Sequence, residues 1–342
     1  MVNQRTINVG VIGVGWFGEF HSRIYDYMPG SNLVGVFDLN PKRTELVSKE
    51  LDVQGFHSME DLLSDKSIEA VSICVKDQFH LEPVLDACQA GKHIMLEKPM
   101  ALSLDECDQI IDATKKAGVK LMIGHLLRFN QRILKAHRKI QAGEIGKIRH
   151  FYARRNMPRS APRHVGDCCG FHSMLYHGAV HEIDLLQWFA DDDIVEVYAK
   201  YQSGEMEGEG CPVSDSILCM LQFRNGAIAL TEHSWIYPDN FPAMVDGRTE
   251  ITGTHGRIEL DLGFRGGISY TEKGVEYFEN PHWPVIEGWY SSDVRDELET
   301  FIRCVALDQP VPVTGEDGKR TIAAALAIEA SLNSGKSEKV QR

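Results

Sequence analysis

The segment that most constrains this chain is Gly13-Val14-Gly15-Trp16-Phe17-Gly18, which joins a short apolar run, Ile7–Ile12, to a helical stretch from about Gly18 to Met28. Glycines at these three positions do different work. The first permits a tight turn, the second lets backbone approach a phosphate without a side chain intervening, and the third lets the helix pack close against the strand. The helix start then offers unbonded N–H groups and a partial positive charge to an anion. Asp38 ends the next apolar run, Leu33–Phe37, and stands 20 residues beyond Gly18. An acid there can accept hydrogen bonds from the ribose diol of an adenosine and repels a 2′-phosphate, which favours NAD over NADP. Lys42 and Arg43, close behind, temper that preference. Gly13, Gly15, Trp16, Phe17, Gly18 and Asp38 are therefore the expected dinucleotide contacts. A flavin or nucleoside site, or a plain glycine turn, is the competing reading.

The pattern around this motif predicts a doubly wound α/β fold. Apolar runs at Ala70–Val75, His93–Leu96 and Lys120–Ile123 alternate with helical stretches at Pro41–Leu51, Leu81–Ala90 and Leu104–Ala117. Ser103 and Glu106 form a capping box ahead of the last of these. Short strands apolar on both faces, separated by helices, mean a parallel sheet with right-handed crossovers. After about residue 126 the pattern changes. A helix over Arg132–Ala142, a strand over His150–Asn156 and a helix over Tyr176–Trp188 precede strands separated by turn residues, among them Ile217–Phe223, Ala227–Trp235 and Ile251–Gly253. Asn225-Gly226 between two of these is a hairpin signal. Asp293–Leu307 and Lys319–Asn333 read as closing helices. The expectation is a parallel-sheet domain over 1–126 and an α+β domain with an open, mostly antiparallel sheet over 127–342, its last helix free to pack back on the first.

Composition narrows the partners. Forty-nine acidic against 36 basic residues give a formal charge of −13, which argues against nucleic acid or an anionic membrane as the main partner. No apolar stretch reaches the length of a membrane span, and the start lacks the pattern of a secretory signal. The eight cysteines are scattered, without a Cys-x-x-Cys pair, so reduced thiols in a cytoplasmic protein are expected. The adjacent Cys168 and Cys169 are unusual but most simply inert.

Beyond the glycine turn stands Ala90-Gly91-Lys92-His93-Ile94-Met95-Leu96-Glu97-Lys98-Pro99. This segment resembles the A-G-K-H-V…E-K-P strand of the glucose–fructose oxidoreductase and inositol dehydrogenase family. Gly124-His125…Arg128-Phe129, Gly143-Glu144-Ile145-Gly146-Lys147-Ile148, Val180-His181-Glu182-Ile183-Asp184-Leu185-Leu186 and Thr314-Gly315-Glu316-Asp317-Gly318 resemble further family segments, in order. The resemblance implies a Rossmann domain, a second domain carrying substrate contacts and an oligomer interface, a nicotinamide cofactor and sugar-like substrates. A homodimer or homotetramer is expected.

Oxidising a secondary alcohol needs an acceptor for the hydroxyl proton and a group that stabilises the developing alkoxide. Lys98, at the end of a parallel strand, is the candidate for the second. His181, with an ordinary pKa near neutrality, is the candidate for the first. Asp184, three residues on, can orient that imidazole or hold a substrate hydroxyl. The chain departs from the family where many relatives carry an Asp four residues before the histidine, after a glycine triplet. Here His177 stands there, after Phe171-His172-Ser173. His177 is expected to bind a substrate hydroxyl or share proton transfer. The i, i+4 spacing of His177 and His181 can also chelate zinc, but it suits a polyol equally and no metal is expected. The family's T-P-N becomes Val75-Lys76-Asp77. Val75, Asp77, His80, Glu97 and Lys98 are placed with the cofactor, although for His80 a structural role at the start of the next helix is the favoured reading. His125, Arg128, Arg155, Arg163, His177 and His181 are placed with the substrate; Arg154, Asn156 and His164 share that basic segment. Trp235, Tyr237, Trp283, Trp289 and Tyr290 can stack on a sugar or simply pack.

Three activities are compatible with these residues. The first is an NAD-dependent sugar or polyol dehydrogenase. The second is a glycosidase- or lyase-type enzyme in which NAD oxidises a ring carbon transiently. The third is a dinucleotide-binding sensor without catalysis, against which Lys98 and His181 argue.

Overall fold

Alternating strand and helix propensities over the first third of the chain build one sheet. A computed structural model describes residues 5–162, 173–208, 211, 213–263, 268–271, 274–277, 285–286, 289–290 and 292–341. Arg163, His164, Cys168, Cys169, Phe171, His172 and Trp283 lie outside the described residues. Two units are present: Met1–Leu126 with Asp293–Ile322, and Leu127–Ser292 with Ala323–Arg342. The segment Asp293–Ile322 thus groups with the first unit rather than with the residues that precede it.

The first unit holds strands β1 (Ile7–Ile12), β2 (Ser31–Phe37), β3 (Gln54–Gly55), β4 (Ala70–Ile73), β5 (His93–Leu96) and β6 (Leu121–Ile123) in the order β3-β2-β1-β4-β5-β6. Every pair is parallel. The direction of progression reverses between β1 and β4, and in such sheets ligands bind beyond the strand ends at that reversal. Helices α1 (Trp16–Tyr27), α2 (Pro41–Leu51), α3 (Met59–Ser64), α4 (Leu81–Gln89) and α5 (Leu104–Ala117) connect the strands. The capping box closes as expected in part. Glu106 N donates to Ser103 Oγ at 3.2 Å, while the Glu106 carboxylate accepts from Leu102 N, one residue earlier than the standard motif. The helix Asp293–Ala306 packs against α1 and β1.

The second unit contains helix α6 (Gln131–Gln141) and strands β7 (Ile148–Pro158), β8 (Ile194–Gln202), β9 (Ser216–Phe223), β10 (Ile228–Tyr237), β11 (Asp246–Gly253) and β12 (Arg257–Asp261). Their order is β12-β11-β7-β10-β9-β8, followed by the short strand Glu338–Lys339. Among the described strands of this sheet only β7 and β10 pair in parallel. Gly226, with φ at +88°, turns the β9–β10 hairpin that Asn225-Gly226 predicts. Strict alternation in β9 buries Ile217, Cys219, Leu221 and Phe223 and leaves Leu218 and Met220 outward. One face of this sheet is therefore covered and the other open. Two short hairpins, Ile268–Thr271 with Gly274–Tyr277 and Val285–Ile286 with Trp289–Tyr290, follow.

The helix expected over Tyr176–Trp188 is different in kind. Ser173–Ala179 is a π-helix, and the α-helix α7 runs over Val180–Ala190. A π turn is wider than an α turn, inserts an extra residue into the helix and is frequent at functional sites. His177 lies within it and His181 just beyond, so regular α-helical stacking of the two, on which the zinc-chelating spacing relied, does not apply. The thiol expectation also needs correction. Cys74, Cys88, Cys107, Cys219 and Cys304 are free, but Cys211 is disulfide-bonded. Among the described residues no helix is long and apolar enough to cross a membrane.

Candidate active site

The glycine turn has the stereochemistry its sequence requires. Gly13 has φ at +85°, where a side chain is strained. A first side-chain carbon at Gly18 would lie 1.8 Å from the Gly13 carbonyl oxygen, so only glycine lets α1 start this close to β1. At Gly15 the same carbon would meet nothing within 4 Å. That open space is where backbone can meet a ligand. Gly15 caps α1 without a side-chain hydrogen bond, which leaves the first-turn amides to an anion. These features fit a dinucleotide diphosphate. Trp16 is exposed beside them.

Val14 is held from both sides by the segment after β2. Its N–H donates to Asp38 Oδ2 at 2.8 Å, and its carbonyl accepts from Arg43 Nε at 3.0 Å and Nη2 at 2.7 Å. Asp38 Oδ1 takes the Asn40 amide at 2.8 Å. Each carboxylate oxygen keeps a further lone pair for a ribose hydroxyl.

At the ends of β4 and β5 the structure separates the expected contacts into two kinds. Val75 and Lys98 lie in bends beyond the strand ends, and Asp77 opens the short 3-10 helix Asp77–Phe79. His80 and Glu97 are buried beneath them. The His80 ring is 1% exposed; its Nδ1 lies 2.9 Å from the Pro99 carbonyl and its Nε2 3.1 Å from that of Val75. Both ring nitrogens face backbone carbonyls, to one of which the neutral ring can donate, and this buried position between the two segments fits the structural role expected for His80. Burial pushes its pKa down, although the flanking carbonyls favour the proton. The Lys98–Pro99 peptide is cis.

Glu97 belongs to a polar cluster inside the unit. His21 Nε2 stands 3.3 Å from Glu97 Oε1, His21 Nδ1 2.9 Å from Ser72 Oγ, and the Tyr25 hydroxyl 3.2 Å from the same Ser72. Gly124 makes room for the carboxylate: a side-chain carbon there would come within 2.8 Å of Glu97 Oε1. His21 was not foreseen as a partner. The available signal was its helical phase, three residues after Gly18 on the face of α1 that also buries Ser22 and Tyr25.

In the second unit two expected site residues satisfy each other. Arg128 donates to both oxygens of Asp184, from Nε at 2.8 Å and Nη2 at 2.5 Å, and both side chains are buried. The guanidinium also lies 5.4 Å from the centre of the Trp188 ring, which stacks on His137. Asp184 therefore fixes α7 to the segment at Arg128; the expected direct role of either with substrate gives way to a supporting one. Arg155 and Glu182 form a second buried pair, with Nε at 2.8 and 3.0 Å from the two carboxylate oxygens. Burial raises the Glu182 carboxyl above its usual range, with the Arg155 charge opposing. Arg155 keeps one unsatisfied nitrogen, Nη2. On the same face, directly across from it, is His233, 1% exposed with both ring nitrogens unsatisfied. Burial, helped by the Arg155 charge, pushes its pKa down to about 3. Glu182 lies 4.0 Å away, but its charge is already spent on Arg155.

His177 and His181 are half-buried, and the His177 ring meets Trp235 edge-on at 6.4 Å. Arg154 and Asn156 point to the opposite sheet face. There Arg154 pairs with Asp246 at 2.9 Å, and Asn156 Nδ2 reaches Glu232 at 2.6 Å and the Tyr237 hydroxyl at 3.0 Å. Their place is structural.

Comparisons with known proteins agree with this arrangement. Residues 7–125 match the oxidoreductase family with an NAD-binding Rossmann fold, and residues 133–259 match the GFO/IDH/MocA C-terminal domain. Myo-inositol 2-dehydrogenase of Thermotoga maritima is 27% identical over 98% of this chain and 99% of its own length. The 2,7-anhydro-N-acetylneuraminate hydratase of Escherichia coli is 31% identical over 75% of this chain and 68% of its own. In fold, the chain superposes with a TM-score of 0.84 on scyllo-inositol dehydrogenase of Lactobacillus casei, at 21% identity and covering 98% and 99% of the two chains. The chain belongs to the Gfo/Idh/MocA oxidoreductase family, and its first unit is an NAD-binding Rossmann domain.

Proposed function

We propose that the protein is an NAD(H)-dependent dehydrogenase acting on a secondary alcohol or ketone of a sugar or polyol. The observation that carries this is Lys98 at the carboxyl end of β5, in the sheet whose β1 end forms the NAD phosphate turn. Bound nicotinamide supplies the hydride acceptor or donor. Lys98 stabilises the developing negative charge on the reacting oxygen, which a preorganised ammonium does at no reorganisation cost. His181 accepts the hydroxyl proton and returns it in the reverse direction. His177, on the widened π turn, holds a neighbouring hydroxyl. Asp184 and Glu182 act through Arg128 and Arg155 as positioning residues. The inositol dehydrogenase names among full-length relatives support a cyclic polyol substrate.

A second reading is favoured by His177 standing where relatives carry an acid, and by the hydratase name of one relative. In that reading the ring carbon is oxidised only transiently and NAD is regenerated. A panel of inositols, aldoses, keto-sugars and anhydro-sugar acids, followed by NADH absorbance and by product chromatography, separates the two. Net NADH change supports the dehydrogenase. Product without net NADH supports the second reading, and neither with any substrate overturns both.

The open sheet face supports assembly into a homodimer or homotetramer. Tyr198, Leu218, Met220, Ile228 and Leu230 lie on adjacent strands of that face, each between 39% and 56% exposed. A contiguous apolar patch of this kind on a sheet is costly in water and is covered in an oligomer.

A further inference from the structure

We propose that Glu19 is a determinant of dinucleotide choice: it engages and neutralises the Arg43 guanidinium that a 2′-phosphate beside Asp38 would need. A cofactor phosphorylated at that hydroxyl needs a cation near the end of β2, where Asp38 stands. The sequence supplies two, Lys42 and Arg43, and an arginine is the better phosphate ligand because its planar fork donates two parallel hydrogen bonds. Arg43 is already engaged. Besides its two bonds to the Val14 carbonyl, its Nη2 lies 2.6 Å from Glu19 Oε2.

Glu19 is itself anchored. Its other oxygen accepts from Arg23 Nε at 3.1 Å and Nη2 at 2.7 Å, and Arg23 reaches Glu50 at 2.7 Å. The chain Arg43–Glu19–Arg23–Glu50 thus joins α1 to α2 with two cations and two anions. It leaves no net positive charge for a phosphate dianion. Partial burial alone would raise the Glu19 carboxyl, but the two guanidiniums outweigh it and hold it below the usual carboxylate range. Its position in the first turn of α1 also favours a negative charge. Asp38 excludes the phosphate by repulsion; Glu19 denies it the nearest arginine.

The experiment is calorimetric binding of NAD and of NADP to wild type, Glu19→Ala, Asp38→Ser and the double variant, each also with Arg43→Ala. Glu19→Ala raises the affinity ratio of NADP to NAD about tenfold, the worth of one charge-assisted phosphate contact. In the double variant the gain exceeds the product of the single gains, because Arg43 is then held by the Val14 carbonyl alone and neither acid opposes a phosphate. Arg43→Ala removes the part due to Glu19. Glu19→Gln, which keeps the shape and loses the charge, moves the ratio in the same direction and serves if the alanine variant folds poorly. A ratio unchanged by both Glu19 substitutions in either Asp38 background, or a gain that survives Arg43→Ala, overturns the proposal. It rests on Asp38 as the ribose contact, and the two fail differently: a ratio unmoved by Asp38→Ser alone removes that reading, whatever Glu19 does.

Discussion

Replacing His233 by phenylalanine should make the second unit more resistant to acid, by an amount the structure allows to be worked out. The ring is 1% exposed with both nitrogens unsatisfied, and burial takes its pKa from 6.5 to about 3. The folded state thus excludes a proton that the unfolded chain binds below the unfolded value of 6.5. For a depressed histidine the unfolded state carries more protons in that window. Stability is full above it and falls as pH drops from 6.5 towards 3. At about 1.36 kcal/mol per pH unit, the loss at pH ~5 is about 2 kcal/mol, and it is close to zero at pH ~7.5. Phenylalanine has no such term. Any packing change it introduces is common to both pH values and cancels in the difference. Urea titrations followed by tryptophan fluorescence suit the test, because Trp188 and Trp235 lie in the second unit. The variant should gain about 2 kcal/mol on wild type between the two pH values. Equal acid sensitivity of the two proteins would refute the reasoning. It would mean that the imidazole protonates in place, with Glu182 as its counter-ion.

Three further outcomes are expected. Lys98→Ala lowers turnover by about 10²-fold or more while NAD affinity by calorimetry changes little; unchanged turnover removes the lysine from the chemistry. Asp184→Ala leaves Arg128 buried without its carboxylate and costs about 3–5 kcal/mol in urea unfolding, whereas a cost below about 1 kcal/mol, typical of exposed pairs, would show that the guanidinium finds water. Leu230→Glu on the open sheet face shifts sedimentation towards monomer, and an unchanged sedimentation profile would place the oligomer interface elsewhere.

The parallel sheet was legible because two local signals coincide in it: strands apolar on both faces, and punctuation by caps and glycines. Pro41–Leu51, His93–Leu96 and Leu104–Ala117 match the structure residue for residue. The brief strand β3 and helix α3 escaped notice, being two and six residues long, too short for periodicity to register. The π-helix was illegible for another reason. Residue spacing around Tyr176 fits an α-helix as well, and only the hydrogen-bond ladder distinguishes them. The candidate site divides in the same manner. Glycine stereochemistry and Asp38 follow from local geometry and could be read directly. That Asp184 binds Arg128, 56 residues away in sequence, or that Glu97 meets His21, is a tertiary fact. Spacing along one helix suggested His181 for Asp184, since sequence distance is the only distance a sequence displays.

The single parallel pair of the second sheet has a consequence for biosynthesis. Strand β7 lies between β10 and β11, so the first strand of that sheet to leave the ribosome is flanked on both edges by strands made roughly seventy or more residues later. Until then it presents two rows of unpaired amides and carbonyls together with the apolar Phe151 and Ala153, a template for wrong partners. Assembly of this sheet is governed by long-range closure and so is slow. Newly made chains are most vulnerable to aggregation while β7 waits for β10 and β11.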